Sequence, residues 1–152
     1  MAFIKIQKKI NVNTFSCDVI YIVSDNIYKV ESLLHKKYGG DKPKDDDPAE
    51  GYTVTVNSTL YVMVLDYRFM TNNLIGHEIY HVTHRICNDR DIEDEETMAW
   101  LNGYLHEEFY KFIQTPKFKV FSGKMEEKLE AFIKKVEEHN SKEKSKKEIR
   151  YE

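Results

Sequence analysis

Residues 60–66 constrain the fold of this chain more than any other stretch, because they are apolar without interruption from Leu60 to Leu65. A strand with one face in water alternates apolar and polar residues, whereas a continuously apolar strand is covered on both faces. The stretch therefore predicts a strand with other elements packed above and below it. A chain of 152 residues is long enough to form one domain around such a core.

The remaining elements follow from apolar spacing and from the residues that interrupt it. Further strands are predicted at residues 18–23 and 52–56, which gives a small sheet of about three strands. We expect an α+β fold, with one domain at residues 1–121 and an amphipathic helix with a charged tail at residues 122–152. Helices are predicted at residues 27–38, 72–87, 94–113 and 123–137, and a charged loop at residues 41–51.

The last predicted helix has one apolar side, which we expect to face the core. From Glu137 onward the chain is rich in Lys, Glu and Ser, and we expect it to fray. The inward-facing residues would be Met125, Leu129, Phe132, Ile133 and Val136.

Composition and charge argue against several classes of function. The net charge is -3, so no basic surface for nucleic acid or for an anionic membrane is expected. Cys17 and Cys87 lack the spacing of a metal-binding pair and are interpreted as free thiols in a reducing compartment. The sequence shows neither a signal peptide nor an apolar run of membrane-spanning length. We therefore expect a soluble, cytoplasmic protein.

The pentapeptide at residues 77–81, with the pattern His-Glu-x-x-His, indicates function most directly. On a helix, residues four apart share a face, so His77 and His81 can hold one metal ion together. Glu78 would lie beside that ion as a general base, able to take a proton from water that the ion activates. The same helix has a separate apolar stripe, so core packing does not explain the two histidines. The stripe consists of Ile75, Ile79, Val82 and Ile86.

A catalytic zinc site needs a third protein ligand and leaves its fourth position to water. His84 shares the histidine face, but it lies about 10.5 Å from His77 along a straight helix, too far for one ion. Acidic residues at the start of the next helix are also ordinary there, because they cap unpaired N–H groups. They are nevertheless the remaining candidates, namely Glu93, Asp94, Glu95 and Glu96.

Glu96 is the candidate that we favour, with Glu95 as the runner-up. Ala99 and Gly103 follow Glu96 on one face, opposite to the large apolar residues of the helix. Glycine inside a helix costs about 1 kcal/mol relative to alanine, so it usually has a packing reason. Small residues beneath Glu96 would let this helix approach the motif helix and bring the carboxylate to the metal.

These two segments together resemble the zincin metallopeptidases. The motif at residues 77–81 and the downstream Glu-x-x-Ala-Trp-Leu at residues 96–101 most closely resemble the gluzincins, in which a later helix supplies a glutamate ligand. The pattern is also similar to small peptidases encoded by bacteriophages, and it is strongest over residues 60–106. The resemblance implies a minimal zincin-like domain, a small sheet packed on the His-Glu-x-x-His helix and on a following helix that bears a glutamate.

The resemblance also implies a zinc-dependent metallopeptidase. Its cofactor would be Zn2+, held by His77, His81 and Glu96, with Glu78 as the general base in peptide-bond hydrolysis. The partner would be a protein or peptide substrate, which the edge of strand 60–66 could receive in extended form. Candidate donors to the tetrahedral oxyanion are Tyr80, Tyr104 and His106.

Three interpretations of such a site stay open from the sequence. The enzyme could act on an intracellular protein during phage infection, for instance as a repressor-cleaving peptidase of the ImmA/IrrE kind. A non-catalytic zincin-like module would instead bind a phage or host protein, in the virion or in the host cytoplasm. A purely structural zinc site would need a fourth protein ligand, from His84 or His106.

Overall fold

The computed structural model describes residues 3–40 and 49–148, so most of the loop predicted at residues 41–51 lies outside the described residues. Within these ranges the chain is α+β, as predicted, with four strands rather than three. The additional strand lies at the N-terminus. The elements are β1 (Lys5–Val12), β2 (Cys17–Ser24), α1 (Ile27–Tyr38), β3 (Gly51–Asn57), β4 (Leu60–Asp66), α2 (Asn72–Asn88), α3 (Glu95–Ile113) and α4 (Pro116–Glu148).

The sheet has the strand order β1-β2-β4-β3. β4 pairs in parallel with β2 and antiparallel with β3, and every residue from Tyr61 to Asp66 is buried. The prediction that this strand is covered on both faces is therefore confirmed. The expectation that its edge could receive a peptide is wrong, because β4 has a hydrogen-bonded strand on each side. The free edges of the sheet belong to β1 and β3.

Helices cover the two faces of the sheet unequally. α1 lies over one face, where Ile27 and Val30 pack with Ile22 and Val64. The parallel pairing of β2 and β4 requires a crossover, and α1 lies in that crossover. α2, α3 and the first part of α4 contribute to the larger core on the other face. The motif helix α2 is therefore held against the face opposite to α1.

A buried tyrosine fixes α3 to the sheet. The hydroxyl of Tyr21 on β2 donates a hydrogen bond of 2.8 Å to the carbonyl oxygen of Leu105, in the middle of α3. Burial raises the pKa of Tyr21 well above its ordinary value, so this phenol stays a neutral donor. The ring also packs against Phe109 and Phe112. Position and orientation of α3 relative to the sheet are thereby set over two turns of the helix.

The C-terminal helix differs from its prediction at both ends. α4 begins at Pro116, where Thr115 Oγ1 accepts a hydrogen bond from the amide N–H of Phe118, and it continues through Glu148 rather than fraying from residue 137. It therefore crosses the predicted boundary between residues 121 and 122 without interruption. Lys and Glu are good helix formers, which accounts for its length. Neither α4 nor another described helix has the length and apolarity to cross a membrane.

Only the first part of α4 contributes to the core. Phe121 and Met125 are buried, and Leu129 is half-buried. The prediction that the next apolar residues also face inward is wrong, since Phe132 is 66% exposed, and Ile133 and Val136 are exposed as well. Beyond Leu129, the apolar side of the helix therefore continues without a covering surface among the described residues.

We expect two phenylalanine substitutions in α4 to have very different effects. Phe121→Ala should lower the free energy of unfolding by about 3–5 kcal/mol, because it leaves a cavity in the core. Phe132→Ala should change it by less than about 0.5 kcal/mol, because its ring lies in solvent. Urea denaturation of the two variants beside the wild type measures both values. Equal losses would show that the outer part of α4 packs on the body of the protein.

Candidate metal centre

The motif helix separates its apolar and histidine faces as the sequence predicts. Thr71 caps α2, with its side chain accepting a hydrogen bond from the amide N–H of Leu74. The apolar stripe of Ile75, Ile79, Val82 and Ile86 is buried in the core. His77, His81 and His84 are exposed on the other side. The helix therefore presents its histidines to solvent without taking any apolar residue out of the core.

His77 and His81 are close enough to share one metal ion. Their Nε2 atoms lie 3.0 Å apart, with the rings edge to face. Two imidazole ligands on a tetrahedral zinc, each about 2.0–2.1 Å from the ion, would be about 3.3 Å apart. The pair fits a zinc ion with a small adjustment of the side chains. Among the described residues, His77, Glu78 and His81 form a group whose ligand atoms all lie within 4.8 Å of one another.

Glu78 is the buried member of this group. Its side chain is only 6% exposed, although it neighbours His77, which is largely exposed. The hydroxyl of Thr53 on β3 donates a hydrogen bond of 3.0 Å to Oε2, whereas Oε1 lies 3.9 Å from Nε2 of His77. The two carboxylate oxygens thus have different surroundings: one is bonded to the sheet, and the other lies beside the histidines.

Three residues hold strand β3 and helix α2 in contact: Gly51 and Thr53 on the strand, and Arg85 on the helix. Gly51 touches the helix directly: a Cβ there would lie 3.2 Å from Cγ of Glu78 and 2.9 Å from the carbonyl oxygen of Val64. Arg85, two turns along α2, donates a hydrogen bond of 2.6 Å to the carbonyl oxygen of Thr53. Sequence reasoning missed Gly51 and Thr53. The available signal was alternation, since Tyr52, Val54 and Val56 pack towards α1 and leave their neighbours on the α2 face.

The structure does not bring Glu96 to the histidines. Hydrogen bonds from Thr83 to Asn102 and from Tyr110 to Asn72 show that α2 and α3 run antiparallel. Glu96 therefore lies about 9 Å beyond Asn102 along α3, on the side away from His77. It is exposed there and lines a depression with Phe15 and Trp100. The fold gives no support to Glu96 as a ligand in this arrangement.

The small residues near Glu96 do not serve helix packing, so that part of the prediction is wrong. Gly103 is exposed, and nothing lies within 4 Å of the place where its Cβ would be. The acidic residues at the start of α3 have an ordinary structural role there. Asp94 is the N-cap, and the hydrogen bonds that it accepts from Thr97 lower the pKa of the Asp94 carboxyl. Glu95, the runner-up, is also exposed and lies outside the histidine group.

The other candidate residues lie at different distances from the centre. Tyr80 lines the same depression as His77 and His81, and the imidazole of His106 lies beside Gly76 of that depression. Tyr104 stacks on Trp100, and the Nδ1 of His106 donates to the carbonyl oxygen of Asn102. His84 and His106 do not join the group of ligand atoms. The interpretation as a closed structural zinc site thus lacks its fourth ligand among the described residues.

The cysteines offer no ligand to this centre. Cys17 and Cys87 are buried free thiols, as predicted. Burial raises the pKa of each thiol, which disfavours the thiolate form that binds metals and reacts. Both side chains belong to the larger core, where they pack as small apolar groups.

We expect Thr53→Val to destabilise the protein at neutral pH. The substitution keeps the shape of the side chain but removes the donor to a buried carboxylate, which should cost about 1–3 kcal/mol. Thr53→Ser should retain most of the stability. Thr55→Val is the matched control, because Thr55 is exposed on the same strand. Urea denaturation of the three variants measures the contribution of this hydrogen bond. An unchanged free energy of unfolding in Thr53→Val would show that the bond does not stabilise the protein.

Two glycine substitutions should change stability in opposite directions. Gly51→Ala should lower the free energy of unfolding by about 1–3 kcal/mol, because the new methyl group meets backbone and Glu78. Gly103→Ala should raise it by about 1 kcal/mol, because alanine favours the helix and the space is open. Thermal unfolding of both variants gives the sign of each effect. A loss of stability in Gly103→Ala would restore a packing role for that residue.

Comparisons with known proteins leave the site to be judged on its own geometry. No family model matches this chain, and neither the curated proteins nor the solved structures include a match. The resemblance to zincins therefore depends on the residues of the two helices alone. Of those residues, His77, Glu78 and His81 are brought together, and Glu96 is not.

Proposed function

We propose that this protein is a zinc-dependent metallopeptidase in which His77 and His81 hold the ion and Glu78 is the general base. One observation carries the proposal: two histidine Nε2 atoms lie 3.0 Å apart, with a buried carboxylate oxygen 3.9 Å from one of them. Two exposed histidines on a helix are ordinary. A buried glutamate between them that a hydrogen bond orients is unusual, because burying a carboxylate carries a large cost in free energy.

Each residue of the site would have a separate role in hydrolysis. A zinc ion held by the two histidines would polarise the scissile carbonyl and acidify the attacking water. Oε1 of Glu78 would accept the proton of that water and return it to the leaving amine. Oε2 would stay bonded to the hydroxyl of Thr53, so the carboxylate would keep one orientation throughout. The hydroxyl of Tyr80 would donate a hydrogen bond to the oxyanion from the side of α2 on which Tyr80 lies.

An extended peptide is the substrate that the neighbouring strand would suit. β3 is an edge strand, and its Gly51 and Thr53 contact Glu78. A peptide that added to the free edge of β3 would form main-chain hydrogen bonds there and lie beside the proposed base. The substrate would thus bind at the edge of β3 rather than at strand 60–66, which has a hydrogen-bonded strand on each side.

A non-catalytic metal-binding module is the second candidate. The observation in its favour is the position of Glu96, which leaves the histidine group without the glutamate ligand that the resemblance implies. Two histidines alone hold zinc more weakly than the three ligands of catalytic sites. Such a site could bind a partner through a shared ion rather than hydrolyse it.

Zinc affinity and hydrolysis, measured together, test the proposal. We expect the wild type to bind zinc in competition with a chelator and to cleave fluorescently labelled casein. His77→Ala and His81→Ala should each weaken zinc binding about 100-fold or more. Glu78→Gln should keep the zinc and lose hydrolysis, because it removes the proton acceptor alone.

His84→Ala is the matched control, since it removes an exposed histidine from the same helix but outside the group. It should bind zinc and hydrolyse casein like the wild type. Zinc binding without hydrolysis in every variant would favour the binding module. A wild type that takes up no zinc would refute both candidates.

A further inference from the structure

The candidate centre has two nitrogen ligands and a base, and it has room for one more ligand. Catalytic zinc sites take three protein ligands and keep the fourth position for water. If Glu78 is reserved for proton transfer, the third ligand must come from another segment. Two depressions flank His77, one on each side of α2, and their lining residues show which side chains can reach the ion.

The depression on the outer side offers no carboxylate. It is lined by the first turns of α2, with Asn72, Asn73, Gly76 and Tyr80 around the two histidines. Amide and phenol groups are poor zinc ligands in comparison with a carboxylate or an imidazole. A third ligand from the residues that line this depression is therefore disfavoured. His106 of α3 lies beside Gly76 on this side, but its imidazole does not join the group of ligand atoms.

The depression on the sheet side contains a second glutamate. It has a volume of about 300 Å³, and Glu50 lines it together with Gly51, His77 and Glu78. In the conformation described, the Glu50 carboxylate does not join the group of ligand atoms formed by His77, Glu78 and His81, so it would reach the ion only after a change of rotamer. Among the described residues, the carboxylate of Glu50 has no hydrogen-bond or ion-pair partner, and the residue is exposed. Its side chain is therefore free to change rotamer at little cost.

The backbone at Glu50 is fixed even though its side chain is free. Its carbonyl oxygen accepts a hydrogen bond of 2.8 Å from the amide N–H of Asp66, and the next residue, Gly51, is pressed against Glu78. Glu50 lies in a bend just before β3 begins, so the alternation of the strand does not extend to it. Its fixed backbone holds it at the depression that His77 and Glu78 also line.

We propose that Glu50 is the third protein ligand of the metal centre, in the place that the sequence pattern assigns to Glu96. This inference rests on the proposed zinc site, and it deepens it by completing the ligand set from the sheet rather than from α3. Two neutral imidazoles and one carboxylate form a ligand set of the kind that catalytic zinc takes. The ligand would come from the chain before the motif helix, directly adjacent to the strand that orients Glu78.

Zinc affinity of single Glu→Gln variants tests this assignment without reference to activity. Each substitution removes one carboxylate and preserves its size. We expect Glu50→Gln to weaken zinc binding at least about 100-fold in chelator competition. Glu96→Gln tests the rival ligand, and Glu127→Gln, an exposed residue of α4, is the matched control. Both should bind zinc like the wild type. Circular dichroism confirms that each variant is folded.

The outcomes separate this inference from the proposed function. Normal zinc binding by the wild type and by Glu50→Gln would overturn the assignment of Glu50 while leaving the zinc site in place. A loss in Glu96→Gln alone would overturn it in favour of the sequence-based ligand. A wild type that binds no zinc would refute the proposed function and this inference together.

Discussion

The site depends on the hydrogen bond between the hydroxyl of Thr53 and the buried carboxylate of Glu78. A carboxylate in the interior is strongly unfavourable unless it finds donors, so this contact decides where the side chain can be. Gly51 makes the contact possible, because any larger residue would separate β3 from α2. Arg85 supports it from the next turns of the helix by bonding to the backbone of Thr53.

This contact also fixes the rotation of α2 about its own axis. Successive residues of a helix are about 100° apart, so neighbours point in different directions. Ile79 faces the core, and Glu78 faces β3. His77 is then forced outwards, and His81 follows it one turn later on the same face. The exposed position of the histidine pair is thus a consequence of two buried neighbours, Glu78 and Ile79.

Local patterns in the sequence were enough for the parts of the fold that depend on local structure. The apolar run of β4, the stripe of α2 and the start of α3 at its Asp94 cap all follow from neighbours within one or two turns. β1 carried a weaker signal, because Lys8 is exposed at the position between the buried Ile6 and Ile10 where alternation would place an apolar residue. Lysine on an edge strand protects it against further pairing, which is the reason the pattern is imperfect.

The predictions that the structure does not support concern the placement of one element against another. Glu96 was chosen because it shares a helix face with Ala99 and Gly103. That shared face does not show whether α3 runs parallel or antiparallel to α2. The antiparallel course of α3, seen in the bond between Thr83 and Asn102, takes its first turn away from His77. Likewise, the exposed apolar residues of α4 have the spacing of a core helix and lack only a surface to meet. Alternation along β3 places Gly51 and Thr53 on one face of the strand, but strand register decides which residues they touch.

The burial of Glu78 bears on whether the histidine pair is a chance arrangement. On an ordinary surface helix, a glutamate next to two exposed histidines would also lie in water, where its charge is solvated. Here the carboxylate is withdrawn into the fold and keeps one oxygen beside the imidazoles, with a single side-chain donor on the other. That arrangement is costly in a protein without a cation and favourable in one that binds a divalent ion there, because the positive charge offsets the desolvation of the carboxylate. The surroundings of Glu78, more than the spacing of the two histidines, therefore support the proposed metal site.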